Sequence, residues 1–339
     1  MTEPLHIGVL GAGAIGCYLG GRLLAGGAHV TLLGRGSLQA EVAAHGLTIT
    51  DLHGAHMELP AEQVRYETDP AALAECQVVL LTVKSKDTAD AATVLRGVLP
   101  AGRAVVSMQN GVRNPEVLRA ALPEHTIVPG MVPFNVLRKP NACFHQGTGL
   151  PLVLADSAPP KLVAALRMGG LPPVLHGDLQ GVLWGKLLLN LNNAVNALSG
   201  RPLLEQLADR RYRRIMARVI NEALTVLRAA KIKPRGVGRM QPTLAARILP
   251  LPDWLFRRAA AAMLKIDPQA RSSMWEDLER RRAPEIDYLN GEIVTLAEHH
   301  TIDAPLNRAL VAEIRAAAAS NAGSPNLDAP SLLALLAPG

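Results

Sequence analysis

Ile7-Gly8-Val9-Leu10-Gly11-Ala12-Gly13-Ala14-Ile15-Gly16-Cys17 decides the reading of the first half of this chain. The stretch reads as a short buried strand running into G-x-G-x-x-G, followed by an Ala/Leu/Gly-rich helix through Leu24. Gly11 suits the tight turn, Gly13 the close approach of a pyrophosphate, and Gly16 the packing of helix on strand. With Ala12, Ala14 and Ile15 between them, these residues offer backbone N–H groups at the positive end of a helix dipole. Small residues also serve plain turns. Here a strand precedes, a helix follows, and a second strand, His29 to Leu33, completes the frame of a dinucleotide site.

The tip of that second strand bears on the cofactor. A site for NAD usually carries Asp or Glu about 20 residues on, accepting from the ribose 2′-hydroxyl. This chain has Gly34-Arg35-Gly36-Ser37 and no acid. Arg35 is either a solvated turn residue or a charged fork for a 2′-phosphate, with Ser37 adding a hydroxyl. The missing carboxylate favours the second, so NADP(H) is the expected cofactor.

At 339 residues the chain has material for two domains. With 49% hydrophobic and 3% aromatic residues it reads as globular and Ala/Leu-rich. The net charge of +6 suits small anions, and no aromatic-studded basic run points to nucleic acid. Arg280-Arg281-Arg282 is explained by a solvated helix face. Cys17, Cys76 and Cys143 are far apart and form no C-x-x-C pair, as expected of reduced thiols in a cytoplasmic protein. No metal site, signal peptide or membrane span is expected.

The first half alternates strand-like and helix-like segments, the mark of a mostly parallel sheet covered on both faces. Gln77–Val83 and Ala104–Met108 are continuous apolar runs suited to central parallel strands. Thr126–Val128, Cys143–His145 and Pro151–Leu154 read as later strands, in an antiparallel extension. Pro159–Met168 reads as a helix, and Leu171–Leu175 as a last strand or linker. From Asp178 helical patterns take over, over 178–198, 203–230, about 253–265, 274–300 and 305–320. Arg235 to Pro252 reads as a loop. The expected domains are 1–177, an α/β Rossmann-type dinucleotide-binding domain, and 178–320, all-helical, with a poorly ordered tail over 321–339.

Four groups outside the glycine loop carry candidate chemistry. Lys84 follows an apolar strand, where ligands of open α/β sheets bind, although a solvated loop lysine explains it equally well. Gln109-Asn110-Gly111 ends the next strand, and it too could be a plain turn. The sharpest group is Trp184-Gly185-Lys186-Leu187-Leu188-Leu189-Asn190-Leu191-Asn192-Asn193. On a helix Asn190 lies about 40° and Asn193 about 20° from Lys186, on one stripe amid leucines. A desolvated lysine loses basicity and becomes a competent proton donor near neutrality. The alternative is a lysine that snorkels to water beside structural asparagines. The fourth group is Ser272-Ser273-Met274-Trp275-Glu276, then Pro284-Glu285. Ser273-x-x-Glu276 is a capping box, so Ser273 starts a helix, a place that also suits a substrate carboxylate. Pro284 should kink or restart the helix and re-aim Glu285.

Together these segments resemble the ketopantoate reductase (2-dehydropantoate 2-reductase) family, from the glycine loop to about residue 318. The resemblance implies reduction of ketopantoate to pantoate with NADPH, on the way to pantothenate and coenzyme A. It implies a C-terminal domain like that of 6-phosphogluconate dehydrogenase, and allows a homodimer. By carry-over Lys186 is the proton donor and Asn190 a substrate contact, Asn110 touches nicotinamide and substrate, and Ser273 holds substrate. Arg35, Lys84 and Glu285 serve the cofactor, and Val136 aligns with a backbone cofactor contact. The family's second helix asparagine falls on Ala194, for which Asn193 is the stand-in. Pro284 replaces a common Thr, and Gly130–Val136 a Thr-rich stretch. Two rivals remain: a reductase of another 2-oxo acid, and a non-catalytic NADPH sensor.

Overall fold

In the computed structural model, which describes residues 5–147, 150–236, 241–261, 264 and 267–336, the chain divides into two compact units, Met1–Leu179 and Gln180–Gly339. The first runs β1 (His6–Leu10), α1 (Ala14–Ala25), β2 (His29–Leu33), α2 (Gly36–His45), β3 (Leu47–Asp51), β4 (His56–Leu59), β5 (Arg65–Glu67) and β6 (Val78–Leu81). It continues α3 (Thr88–Val98), β7 (Ala104–Ser107), α4 (Asn114–Ala121), β8 (Thr126–Met131), β9 (Val136–Lys139), β10 (Cys143–Gln146), β11 (Val153–Ala155), α5 (Pro160–Met168) and β12 (Val174–His176). Eight strands form one sheet in the order β12-β11-β8-β7-β6-β1-β2-β5. Neighbours are parallel except β11 and β8.

The apolar runs explain this arrangement. Along β6, Val78 and Leu80 enter the core on one face of the sheet, and Val79 and Leu81 the core on the other. The antiparallel extension holds for β11 but not for Cys143–His145. That strand, β10, belongs to a separate four-stranded sheet in the order β4-β3-β10-β9. There β10 runs antiparallel to β9 and parallel to β3. Helix α1 packs against both sheets because its glycines leave room. A Cβ on Gly20 would fall 2.4 Å from Leu32, and one on Gly21 2.6 Å from Ile49. Buried Arg22 then ties α1 to distant chain: Nε donates to the Gly169 carbonyl at 2.7 Å and Nη2 to that of Gly170 at 2.9 Å. Its Nη1 meets Asp51 at 3.1 Å.

The second unit holds the rest of α6 (Leu179–Asn190), then α7 (Asn192–Ser199), α8 (Leu203–Ala208), α9 (Arg210–Ala229), α10 (Pro242–Ile248) and α11 (Asp253–Ala259). It ends with α12 (Ser273–Glu279), α13 (Asn290–His299), α14 (Pro305–Ser320) and α15 (Ala329–Leu335). The all-helical character is as expected, but the long helices are broken. The first is interrupted at Leu191. The second breaks at Asp209, whose carboxylate accepts from the Arg211 N–H at 2.8 Å and restarts the helix. The 274–300 pattern breaks over 280–289, where Arg281 takes φ +53° and Pro284 lacks an N–H. The expected loop before Pro252 contains α10. The tail contains α15, capped by Asp328 and buried through Leu332. Of the helix expected to reach about residue 265, positions 262, 263, 265 and 266 lie outside the described residues.

Arg213 organises this unit. Wholly buried, it donates to the carbonyls of Leu207, Ala208, Leu249 and Leu251, meets Asp253 at 2.7 Å and covers the Phe256 ring at 4.2 Å. Among the described residues no helix is long and apolar enough to cross a membrane. Among them, too, no His, Cys, Asp and Glu group is placed to hold a metal ion.

Candidate active site

The glycine loop is built as its spacing demands. Gly11 has φ +97°, and a Cβ there would lie 2.6 Å from the Val83 nitrogen. A Cβ on Gly16 would lie 2.7 Å from both the Gly11 oxygen and the Thr82 hydroxyl. Gly13 differs, because its nearest neighbour would be 3.9 Å away, leaving open space over the loop. Gly13 is the N-cap of α1 without a side-chain cap, and the first turn carries no acid. The N–H groups of Ala14, Ile15 and Gly16 therefore face that space at the positive helix end. These residues fit a dinucleotide pyrophosphate.

The loop has supports that sequence reading missed. The Tyr66 hydroxyl, from β5, donates to the Ala12 carbonyl at 2.9 Å. It occupies the place of a Cβ on Gly34, 2.1 Å away, so that glycine was the one available signal. The Cys17 thiol also donates to the Ala12 carbonyl, at 3.4 Å. Burial pushes both groups up, so they stay neutral donors. The Thr82 hydroxyl lies 2.8 Å from the Gly11 carbonyl and ties the loop to the end of β6.

Arg35 lies two residues beyond β2 as the exposed N-cap residue of α2, whose first turn carries no acid. Lys84 and Asn110, both half-buried, follow the ends of β6 and β7, which are neighbours in the sheet. The Ser85 hydroxyl donates to the Asn110 carbonyl at 2.6 Å and joins the two loops. Val136 starts β9 in the second sheet, opposite Gln146. Gln146 in turn accepts from the Tyr18 hydroxyl of α1 at 2.5 Å.

In the second unit Lys186 is half-buried on α6, between buried Gly185 and Leu187. Burial draws its ammonium down to about 8, while the Glu285 carboxylate pushes it up. Asn190 stands one turn further along α6, and Glu285 precedes a turn of 3₁₀ helix over Ile286–Tyr288. The helix is fixed from behind by a strap that the sequence does not advertise. The Arg235 N–H donates to the Gly181 carbonyl at 2.8 Å. A Cβ on Gly185 would lie only 1.8 Å from the Arg235 oxygen.

Ser273 is not the cap of α12; Ser272 is. The Ser272 oxygen accepts from the Trp275 N–H and donates to the Asn193 carbonyl, each at 3.1 Å. Its own N–H donates to Oδ1 of Asn196 at 2.8 Å. Ser273 is thereby left exposed at the first helical position, its hydroxyl free of the capping duty. Asn196, wholly buried, also donates to the Arg201 carbonyl and to Gln206, and it went unnoticed in the sequence. Ala194 is wholly buried as well and offers no polar group.

Residues 7–158 match the family model described as ketopantoate reductase PanE/ApbA, and residues 178–318 match ketopantoate reductase PanE/ApbA C terminal. A 2-dehydropantoate 2-reductase of Halobacterium salinarum is 28% identical, with 92% of this chain and 99% of that protein covered. A PanE/ApbA family ketopantoate reductase from Ralstonia eutropha JMP134 shares 29% identity and a TM-score of 0.81, over 94% of this chain and 99% of that one. A D-mandelate dehydrogenase with NADH and anilino(oxo)acetate shares the fold, at TM-score 0.77 and 18% identity over 94% and 99% of the two chains. With a matching model for each half, in order and nearly end to end, the chain belongs to the ketopantoate reductase family, a group of dinucleotide-binding oxidoreductases.

Proposed function

We propose that this protein reduces 2-dehydropantoate to pantoate with NADPH, supplying pantoate for pantothenate and coenzyme A. The observation that carries the mechanism is Lys186, an ammonium drawn down to about 8 on a leucine-rich helix. Such a group is charged at neutral pH yet yields its proton readily. The glycine-loop amides hold the pyrophosphate, Arg35 takes the 2′-phosphate, and Lys84, Asn110, Val136 and Glu285 complete the cofactor contacts. When bound, NADPH supplies the hydride to the ketone carbon. Lys186 polarises the ketone oxygen, protonates it as it becomes an alkoxide, and recovers a proton from solvent. Asn190, Asn193 and Ser273 orient the acid.

Two buried thiols among three dispersed cysteines support a reducing, cytoplasmic setting. A homodimer is the assembly we expect, and the mass of the protein in solution tests it. One observation favours a second reading, a different branched 2-oxo acid as substrate. Ala194 is buried where the family resemblance puts a second asparagine, which changes the polar lining offered to substrate.

The test is NADPH oxidation with ketopantoate, beside other branched 2-oxo acids and beside NADH. Ketopantoate should be preferred, and Lys186→Ala should lower turnover about 10²- to 10⁴-fold with NADPH affinity nearly intact. Preference for another acid selects the second reading. Full turnover in Lys186→Ala removes the mechanism.

A further inference from the structure

Five polar side chains of the first unit, Ser85, Thr88, Ser107, Gln109 and Asn114, are each no more than 4% exposed. Burial of polar groups is unfavourable unless each finds a partner. Here they form a directed chain. The Ser107 hydroxyl donates to Gln109 Oε1 at 3.1 Å, and Gln109 Nε2 donates to the Thr88 hydroxyl at 2.7 Å. The Thr88 hydroxyl faces Oδ1 of Asn114 at 2.9 Å and the Ser85 carbonyl at 2.8 Å. With Oδ1 so engaged, Asn114 turns its amide outward. Nδ2 donates to the Asn110 carbonyl at 2.5 Å and to the Ser85 hydroxyl at 3.2 Å. The Ser85 hydroxyl donates to the same carbonyl, at 2.6 Å. Each amide orientation is thus set by its neighbour.

The product of this chain is the geometry of one peptide. Two donors grip the Asn110 oxygen from inside, and Gly111, at φ +87°, turns the backbone away. The Asn110 side chain is left half-buried at the end of the parallel sheet. Because Ser85 follows Lys84, the same clamp fixes the Lys84 loop against the Asn110 loop. Apolar residues of equal volume would fill this space with no orientational demand.

We propose that Asn114 and Ser85 are positioning residues, holding the Asn110 peptide so that its side chain meets the nicotinamide half of the dinucleotide. The inference rests on Asn110 being a cofactor contact. Asn114→Asp keeps the acceptor for Thr88 and removes both donors, and Ser85→Ala removes the other grip on the same oxygen. The measurement is equilibrium binding of NADPH and of adenosine 2′,5′-bisphosphate, which lacks the nicotinamide, with Asn110→Ala alongside.

Each positioning variant should weaken NADPH about three- to tenfold and leave the bisphosphate within about twofold. Turnover should fall further, about ten- to a hundredfold, with a larger isotope effect from NADPH deuterated at C4. Equal weakening of both ligands, or a lowered Tm with unchanged NADPH affinity, overturns the proposal. Should Asn114→Asp fail to fold, Ser85→Ala decides alone. If Asn110→Ala itself leaves NADPH binding unchanged, the reading of Asn110 as a cofactor contact fails instead.

Discussion

A proton donor that titrates at about 8 must leave its mark on the pH profile of reduction. Below that value Lys186 carries the proton that the alkoxide needs. Above it the competent fraction falls tenfold per pH unit, to about one-tenth at pH 9 and about one-hundredth at pH 10. The assay is the initial rate of NADPH loss at subsaturating 2-oxo acid, which reports kcat/KM of the free enzyme. Oxidation of the hydroxy acid should show the mirror image, rising through the same pH. Lys186→Arg should abolish the limb, because a guanidinium stays charged throughout, and its rate should be about 10²- to 10⁴-fold lower. Glu285→Gln removes the upward push and should move the limb below 8. The depressed value also links to stability. Between about 8 and the ordinary 10.5 the unfolded chain binds more protons at this group, so its contribution to stability rises with pH in that window. A kcat/KM flat to pH 10, or a limb that survives in Lys186→Arg, would refute the assignment.

Gly185→Ala puts a methyl 1.8 Å from the Arg235 oxygen and should cost about 1–3 kcal/mol, read as a lower Tm, with the neighbouring Lys186 disturbed. Gly97→Ala in α3 is the contrasting case: its Cβ meets nothing within 4 Å, and it should gain up to about 1 kcal/mol. Arg213→Met leaves four carbonyls without their donor and should lose about 3–5 kcal/mol by denaturant titration. Its ion pair with Asp253 contributes little of that, since the carboxylate is 58% exposed. Arg35→Ala should raise KM for NADPH about tenfold and leave KM for NADH unchanged, and equal effects on both would remove Arg35 from the 2′-phosphate.

What could be read in advance was chemistry that depends on near neighbours in sequence. Gly11, Gly13 and Gly16 work within one turn, and Val78–Leu81 are apolar on both faces, so loop and central strands were legible. Asn190 lies one turn from Lys186 on α6, as helical periodicity requires. The choice between two adjacent serines was not legible. It is made by Asn196 and Asn193, 76 and 79 positions away, which claim Ser272 for the cap. The second sheet was hidden because β3 and β4 are short and half polar, with Thr48 facing Glu58 and Thr50 facing His56 across the ladder. The strap over Gly185 is backbone against backbone and leaves no side-chain pattern. Helix breaks at Asp209 and Arg281 were masked by good helical periodicity on either side.

Arg22 has a consequence for how the protein is made. Two of its anchors, Gly169 and Gly170, lie 147 and 148 positions downstream. During synthesis Asp51 emerges early to pair with the guanidinium, but Nε and Nη2 wait for almost the whole α/β unit before they meet their carbonyls. Closure over so long a span is late and slow. A polypeptide cut before Gly169 keeps the nucleotide loop and the Asp51 pair but leaves Nε and Nη2 of the guanidinium without their carbonyl acceptors, so the end of this half is needed to complete its interior.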